Sequence, residues 1–311
     1  MDGFRIPVGE WAEAIVDWIR DNLAWLLSAI SDGLGWLIES LTGALLSLPI
    51  VVFVIIAALL GWFVRSWKFA IGTAISFVLI LAMGQWVGAM QTLALVVVAT
   101  LIAVVIAVPV GILAARSNRF SAIIKPVLDL MQTMPGLVYL IPAIVFFSLG
   151  DVPGLVATVI FALPPGVRLT ELGIRGVDAE TVEAGMAFGA TPGQILRGVQ
   201  LPLAMPTIMT GVNQVIMLAL SMAVIAGMAG ADGLGKEVVQ AMSTVDIAKG
   251  AEAGLSVVLL AVYLDRLSAA LGQPSAYDSS LRALLGRRRT AASTTRRAAQ
   301  APEPVLAGGT V

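Results

Sequence analysis

Apolar residues run along this chain in long blocks separated by short polar breaks. A helix needs roughly 20 mostly apolar residues to cross about 30 Å of hydrocarbon. Seven blocks meet or approach that length: 45–64, 69–88, 91–114, 124–148, 154–172, 202–227 and 252–268. The first contains an uncharged run from Pro49 to Trp62. Charges sit at the ends of others: Lys125 and Asp129 in the fourth, Arg168 and Glu171 in the fifth, and the last block is short. The pattern predicts an all-α polytopic membrane helix bundle of about seven spans.

Residues 8–41 follow a different rule. Trp11, Ile15, Trp18, Leu26, Ile30, Leu37 and Leu41 recur at helical steps, interrupted by Glu10, Glu13, Asp17, Asp21, Asp32 and Glu39. This is an amphipathic helix with Trp at its margin, suited to a membrane surface or to other helices. As a span it would bury Asp32 and Glu39 in hydrocarbon, at a cost of several kcal/mol. The organisation expected is an amphipathic region over 1–44, two peripheral spans over 45–88, a core over 89–270 and an Arg-rich tail over 271–311. From Gly286 onward the tail lacks apolar periodicity and reads as disordered, its arginines either recruiting anionic lipid or simply solvated.

Composition agrees with a lipid-facing surface. Hydrophobic residues make up 58% and charged residues 13% of 311, with a mean hydropathy of +0.93, where a soluble domain carries about a quarter charged. The chain has no Cys and no His, which excludes thiolate chemistry, His-ligated metals and His-based catalysis. No metal site, cofactor or nucleic-acid partner is expected. With the N-terminus outside, 15 of the 19 basic residues fall on inside segments and 4 (Arg5, Arg20, Lys236, Lys249) outside. The positive-inside rule therefore predicts an N-out, C-in chain.

Two features imitate chemistry. Gly230-Ala-Asp-Gly-Leu-Gly235-Lys236-Glu237 approaches a phosphate-binding loop, but Glu237 replaces the Mg²⁺-binding hydroxyl and no strand precedes it. It reads as a flexible glycine hinge after a helix. Asp129, four residues after Lys125, reads as half of a local ion pair rather than a proton relay. Asp265 and Arg266 close the last block, at the interface.

The loop 173–201 carries two helix signals. Asp178 can cap a helix that ends at Gly189, and Thr191-Pro192-Gly193-Gln194 holds the residues of a capping box with Pro at the first helical position. Ile195, Leu196 and Val199 give the second helix an apolar face, and Leu201-Pro202 ends it and opens the next span. The expected result is a compact helical knob on the inside.

Here Glu183-Ala184-Gly185, three residues, Gly189, nine residues, Val199, one residue and Leu201-Pro202 resemble the EAA loop of bacterial ABC importer permeases. Gly185 stands for the second Ala of that pattern and Val199 for its Ile. The resemblance implies a type I ABC importer permease whose knob docks on a separate ABC ATP-binding subunit through Glu183, Ala184, Gly185, Gly189, Leu201 and Pro202. One knob per ATPase implies a second permease copy. Asp129-Leu-Met-Gln132-Thr133-Met-Pro135, Ala162-Leu-Pro164-Pro165-Gly-Val-Arg168 and Gly211-Val-Asn213-Gln214 resemble the glycine betaine/proline permeases of this group. That resemblance covers about 90–268 and implies an extracytoplasmic substrate-binding protein and a quaternary-ammonium osmolyte as cargo. Asp232 departs from the Gly expected there. Gln132, Thr133, Asn213, Gln214 and Ser221 are candidates for a weakly polar translocation path, or are interhelical hydrogen-bond partners. The rival reading is a self-contained carrier or channel for small zwitterions, in which the knob has no role.

Overall fold

The structure, a computed structural model, describes residues 7–272 and Ser279, so Asp2, Arg5 and the tail arginines from Arg282 lie outside the described residues. Among them there are twelve α-helices and no strand: α1 Val8–Ser47, α2 Ile50–Val64, α3 Trp67–Ala82, α4 Trp86–Arg116, α5 Asn118–Thr133, α6 Gly136–Phe147, α7 Asp151–Arg175, α8 Ala179–Ala187, α9 Pro192–Ile195, α10 Leu201–Ala226, α11 Leu234–Thr244 and α12 Ile247–Gly272.

The centre is a close meeting of α4, α7 and α10. On α4 the small residues Ala99, Ala103, Ala107 and Ala114 are fully buried, while Leu101, Val105 and Leu113 on the opposite side are exposed. The inward stripe is small because water cannot drive helices together in lipid, so close backbone approach must. A methyl group added at Gly111 would stand 2.5 Å from Cβ of Thr170 and 2.7 Å from the carbonyl oxygen of Val167, both on α7. At Gly166 of α7 it would meet Ala107 at 2.8 Å and Val215 of α10 at 3.1 Å. At Gly211 of α10 it would lie 3.0 Å from Cβ of Leu169. Around this centre, α2, α3 and α12 gather on an aromatic cluster in which Phe77 packs edge-on to Phe53 and Tyr263.

Among the described residues, four helical segments are long and apolar enough to cross a membrane: Trp86–Arg116, Asp151–Arg175, Pro192–Ala229 and Ile247–Gly272. Two of the seven expected blocks are not straight. Residues 124–148 bend by 97° between α5 and α6, at Met134-Pro135, where proline lacks the N–H to continue α5 and disfavours helical geometry before it. Likewise, α2 leaves α1 at 104° across Pro49. Counting each bent pair as one span gives six, and the 16-residue α3 is a shorter apolar helix beside them.

The N-terminal helix divides in two. Its φ/ψ break at Leu23; before it, Trp11, Ile15 and Trp18 are exposed. Beyond it, Leu34, Ile38, Leu41 and Leu45 pack onto the main core, so this half lies against other helices. The glycine stretch near 230 is a packed turn rather than a loose hinge. A methyl at Gly235 would lie 2.5 Å from the carbonyl oxygen of Ala223, and Gly230 and Gly233 have φ of +84° and +113°, values that favour glycine. The N–H of Leu234 donates to Thr92 Oγ1 at 2.8 Å, tying this turn to α4.

Candidate coupling knob and translocation path

The knob begins where α7 leaves the bundle, and buried charge fixes that point. Glu171 is buried and accepts a hydrogen bond from Ser121 Oγ at 2.7 Å. Arg175 Nε lies 2.9 Å and Lys125 Nζ 3.5 Å from the same carboxylate oxygen. The guanidinium of Arg175 also donates to Asn118 Oδ1 and to the Ala114 carbonyl, each at 2.8 Å. A carboxylate this buried is tolerated because it is both paired and hydrogen-bonded. This corrects the expected Lys125–Asp129 pair: Lys125 reaches Glu171, and Asp129 pairs with Arg168 of α7. Both links run between helices and clamp α5 to α7, which within-helix spacing cannot reveal.

Local capping then shapes the knob. Asp178 accepts from the N–H of Glu180 at 3.1 Å and starts α8. That helix ends in a Schellman turn: the N–H of Ala190 reaches the Gly185 carbonyl at 3.1 Å and that of Gly189 the Met186 carbonyl at 2.9 Å. Gly189 has φ +80° with open space around its α-carbon, so backbone angle rather than bulk demands glycine within this chain. Thr191 and Gln194 form a reciprocal capping box. Contrary to expectation, the second helix does not stop at Leu201-Pro202. A π-helical turn, Leu196–Gln200, joins α9 to α10, with the N–H of Leu201 reaching back to Leu196. Pro202 has no N–H and crowds the preceding turn, and a widened turn accommodates it.

The six residues singled out for coupling therefore occupy different settings. Glu183 and Ala184 are exposed on α8. Gly185 faces Ile195, where a methyl would make an ordinary contact at 3.6 Å. Gly189 forms the turn, Leu201 packs with Ile174, Leu196 and Ile208, and Pro202 marks the junction. Two residues went unnoticed in the sequence: Phe188, 93% exposed, and Met186, 53% exposed. The available signal was large apolar side chains at the turn of an otherwise polar loop, and such exposed anchors mark interaction sites.

The five path residues are dispersed. Gln132 and Thr133 end α5 at the bend, both exposed, with Thr133 Oγ1 bonded back to the Leu130 carbonyl. The bend rests on α7 and α10 through Met134, Tyr139, Phe161 and Met222, and Tyr139 Oη donates across it to the Met131 carbonyl at 2.6 Å. Gln214 and Ser221 are exposed two turns apart on α10. Asn213 turns the other way: its Nδ2 donates to Asp265 Oδ1 at 3.0 Å and its Oδ1 accepts from Ser268, locking α10 to α12. No hydrogen bond joins any two of the five.

Residues 107–273 match the family described as binding-protein-dependent transport system inner membrane component. The chain belongs to this family. It is 46% identical over 264 residues to the glycine betaine transport system permease protein OpuAB of Bacillus subtilis (strain 168), covering 85% of this chain and 94% of that one. It is 44% identical over 270 residues to the glycine betaine/proline betaine transport system permease protein ProW of Escherichia coli (strain K12), covering 87% and 76%. Among solved structures, the inward-facing MetNI methionine ABC transporter in its CY5 native crystal form shares the fold, with a TM-score of 0.55 at 23% identity over 60% of this chain and 93% of that one. The chain is thus a multi-pass transport-system subunit with a type I ABC importer permease fold.

Proposed function

We propose that this chain is the membrane-spanning subunit of an ATP-driven importer for glycine betaine or a related quaternary-ammonium osmolyte in the bacterial inner membrane. It works by alternating access, as one of two copies. Its α8–α9 knob faces the cytoplasm and seats on a separate ATP-binding subunit, and an extracytoplasmic binding protein delivers the substrate. The observation that carries the reading is the knob. It is locally capped, follows the stretch of α7 that the Glu171 network clamps to α5, and presents Phe188 outward. A self-contained carrier gives such a knob nothing to do. The cargo is supported by the glycine betaine transport of the relatives' names, and by neutral polar residues Gln132, Thr133, Gln214 and Ser221 that would let a zwitterion pass without binding tightly. The 15-to-4 bias of basic residues supports the N-out, C-in orientation, and the exposed Trp11 and Trp18 support a membrane-surface position for the first half of α1.

The test is uptake of labelled glycine betaine by cells that depend on this importer. Excess trimethylammonium compounds should compete, and amino acids without a quaternary nitrogen should compete poorly. Uptake of phosphate, sugars or metal ions with no betaine signal would sink the substrate class. Orientation is checked separately, since the chain has no native cysteine. Cysteine at Asp246 should react with an impermeant thiol reagent in intact cells, and cysteine at Thr191 should not.

A further inference from the structure

A cavity of about 400 Å³ lies between the middle of α1 and the end of α6, well away from the knob. Its walls combine Arg20, Asp21 and Asp32 of α1 with Phe146 and Phe147 of α6. The two rings are 6.5 Å apart and inclined by 69°, so they form a corner rather than a flat stack. Neither ring belongs to the clusters that make the protein core. None of the three charged groups forms an ion pair or side-chain hydrogen bond among the described residues, unlike Lys125, Asp129, Arg168, Glu171 and Arg175. In addition, α6 ends at Phe147 without a capping N–H, which leaves its last carbonyls carrying the partial negative charge of a helix C-terminus.

The chain holds that end in an unusual shape. Ser148 has φ +63° and ψ −170°, a region reserved almost entirely for glycine and strained for other residues. The turn thereby places two aromatic rings and a negative helix end opposite two carboxylates and a guanidinium.

We propose that this cavity binds a zwitterion bearing a quaternary ammonium group and a single anionic group. The methylated cation lies against Phe146 and Phe147, within reach of the field of Asp21, Asp32 and the α6 terminus. It has no N–H to donate, so ring faces and unshared negative charge suit it better than a hydrogen-bond acceptor would. Arg20 holds the anionic end. The volume falls within the range of small-ligand sites. The choice of ligand rests on the substrate class proposed above. With the N-terminus outside, the cavity opens on the outer face, where substrate first meets the permease.

The test uses the purified permease with its ATP-binding subunit in nanodiscs of choline-free lipid, and glycine betaine as the probe. Saturation-transfer NMR should detect its N-methyl protons. The double change Phe146→Leu and Phe147→Leu keeps apolar volume and should weaken binding about fivefold. Because that variant could lose structure, Asp32→Asn and Arg20→Gln provide exposed alternatives. Asp32→Asn should weaken glycine betaine and tetramethylammonium alike, and Arg20→Gln should weaken glycine betaine alone. Loss of the signal in phosphatidylcholine nanodiscs would assign the same chemistry to a lipid headgroup. Wild-type uptake without any such signal, or a folded Asp32→Asn protein that binds as the wild type does, overturns the cavity and leaves the transport reading intact. Binding without uptake supports the cavity and sinks the transport reading.

Discussion

The centre of the bundle and the knob below it hold together by opposite means. Where α4, α7 and α10 meet, the helices are long, and their stability comes from neighbours through Gly111, Gly166 and Gly211 at backbone distance. In the knob, α8 has nine residues and none is buried. It owes its shape to local devices: the Asp178 cap, the Schellman turn at Gly189 and the Thr191–Gln194 box. An isolated helix so short is marginal in water, so the caps matter most where packing is least. A tightly packed bundle and a locally determined knob suit the proposed coupling role, in which a partner's motion would pass inward without deforming the knob itself.

That contrast breaks most visibly at Gly111. Gly111→Val should cost upwards of about 3 kcal/mol, because its side chain meets the Val167 carbonyl and Thr170 with no flexible end to yield. The check is membrane yield and thermal unfolding in detergent, where a wild-type profile would contradict the packing account.

The clamp between α5 and α7, where the chain leaves the bundle for the knob, comes next. Glu171→Ala should destabilise by about 1–3 kcal/mol, less than a fully buried pair would, because Lys125 and Arg175 keep some contact with water. Glu171→Gln retains a partner for Ser121 and should cost less. Thermal unfolding of both variants gives the order, and equal losses would mean that charge is not what holds α5 to α7.

Within the knob, two glycines four residues apart should respond with opposite signs. Gly189→Ala forces a methyl onto φ +80° and should cost about 1 kcal/mol. Gly185 lies inside α8 with room for a methyl, so Gly185→Ala should stabilise by about 0.5–1 kcal/mol. Protease resistance of the loop in the intact complex reads both changes. The same sign for both would refute the local account.

This division also explains what the sequence could tell. The knob was legible in detail because caps work between residues two to four positions apart, and Asp178, Gly189 and Thr191 carry their preferences with them. The helical spans were legible as apolar blocks, and Pro135 marked an interruption in one of them, though hydropathy averages over a window and cannot show how sharply the chain turns at Met134-Pro135. What makes that bend habitable is tertiary: a methyl at Gly136 would sit 3.2 Å from the sulfur of Met222, far along the chain. The ion pairs failed for the same reason. Lys125 and Asp129 satisfy the helical spacing rule, but Glu171 and Arg168 lie nearer in space. Asn213, open from its chemistry to a path role or to interhelical hydrogen bonding, bonds Asp265 and Ser268 of α12.

The central claim, that the knob is the coupling surface to a separate ATPase, is tested most directly at Phe188. Its side chain is 93% exposed among the described residues, so Phe188→Ser should leave membrane level and thermal unfolding unchanged. Recovery of the ATP-binding subunit with tagged permease should then fall about tenfold or more, as expected when an aromatic hot spot of about 2 kcal/mol is removed. Recovery of the ATPase at the wild-type level, with wild-type substrate uptake, would contradict the account.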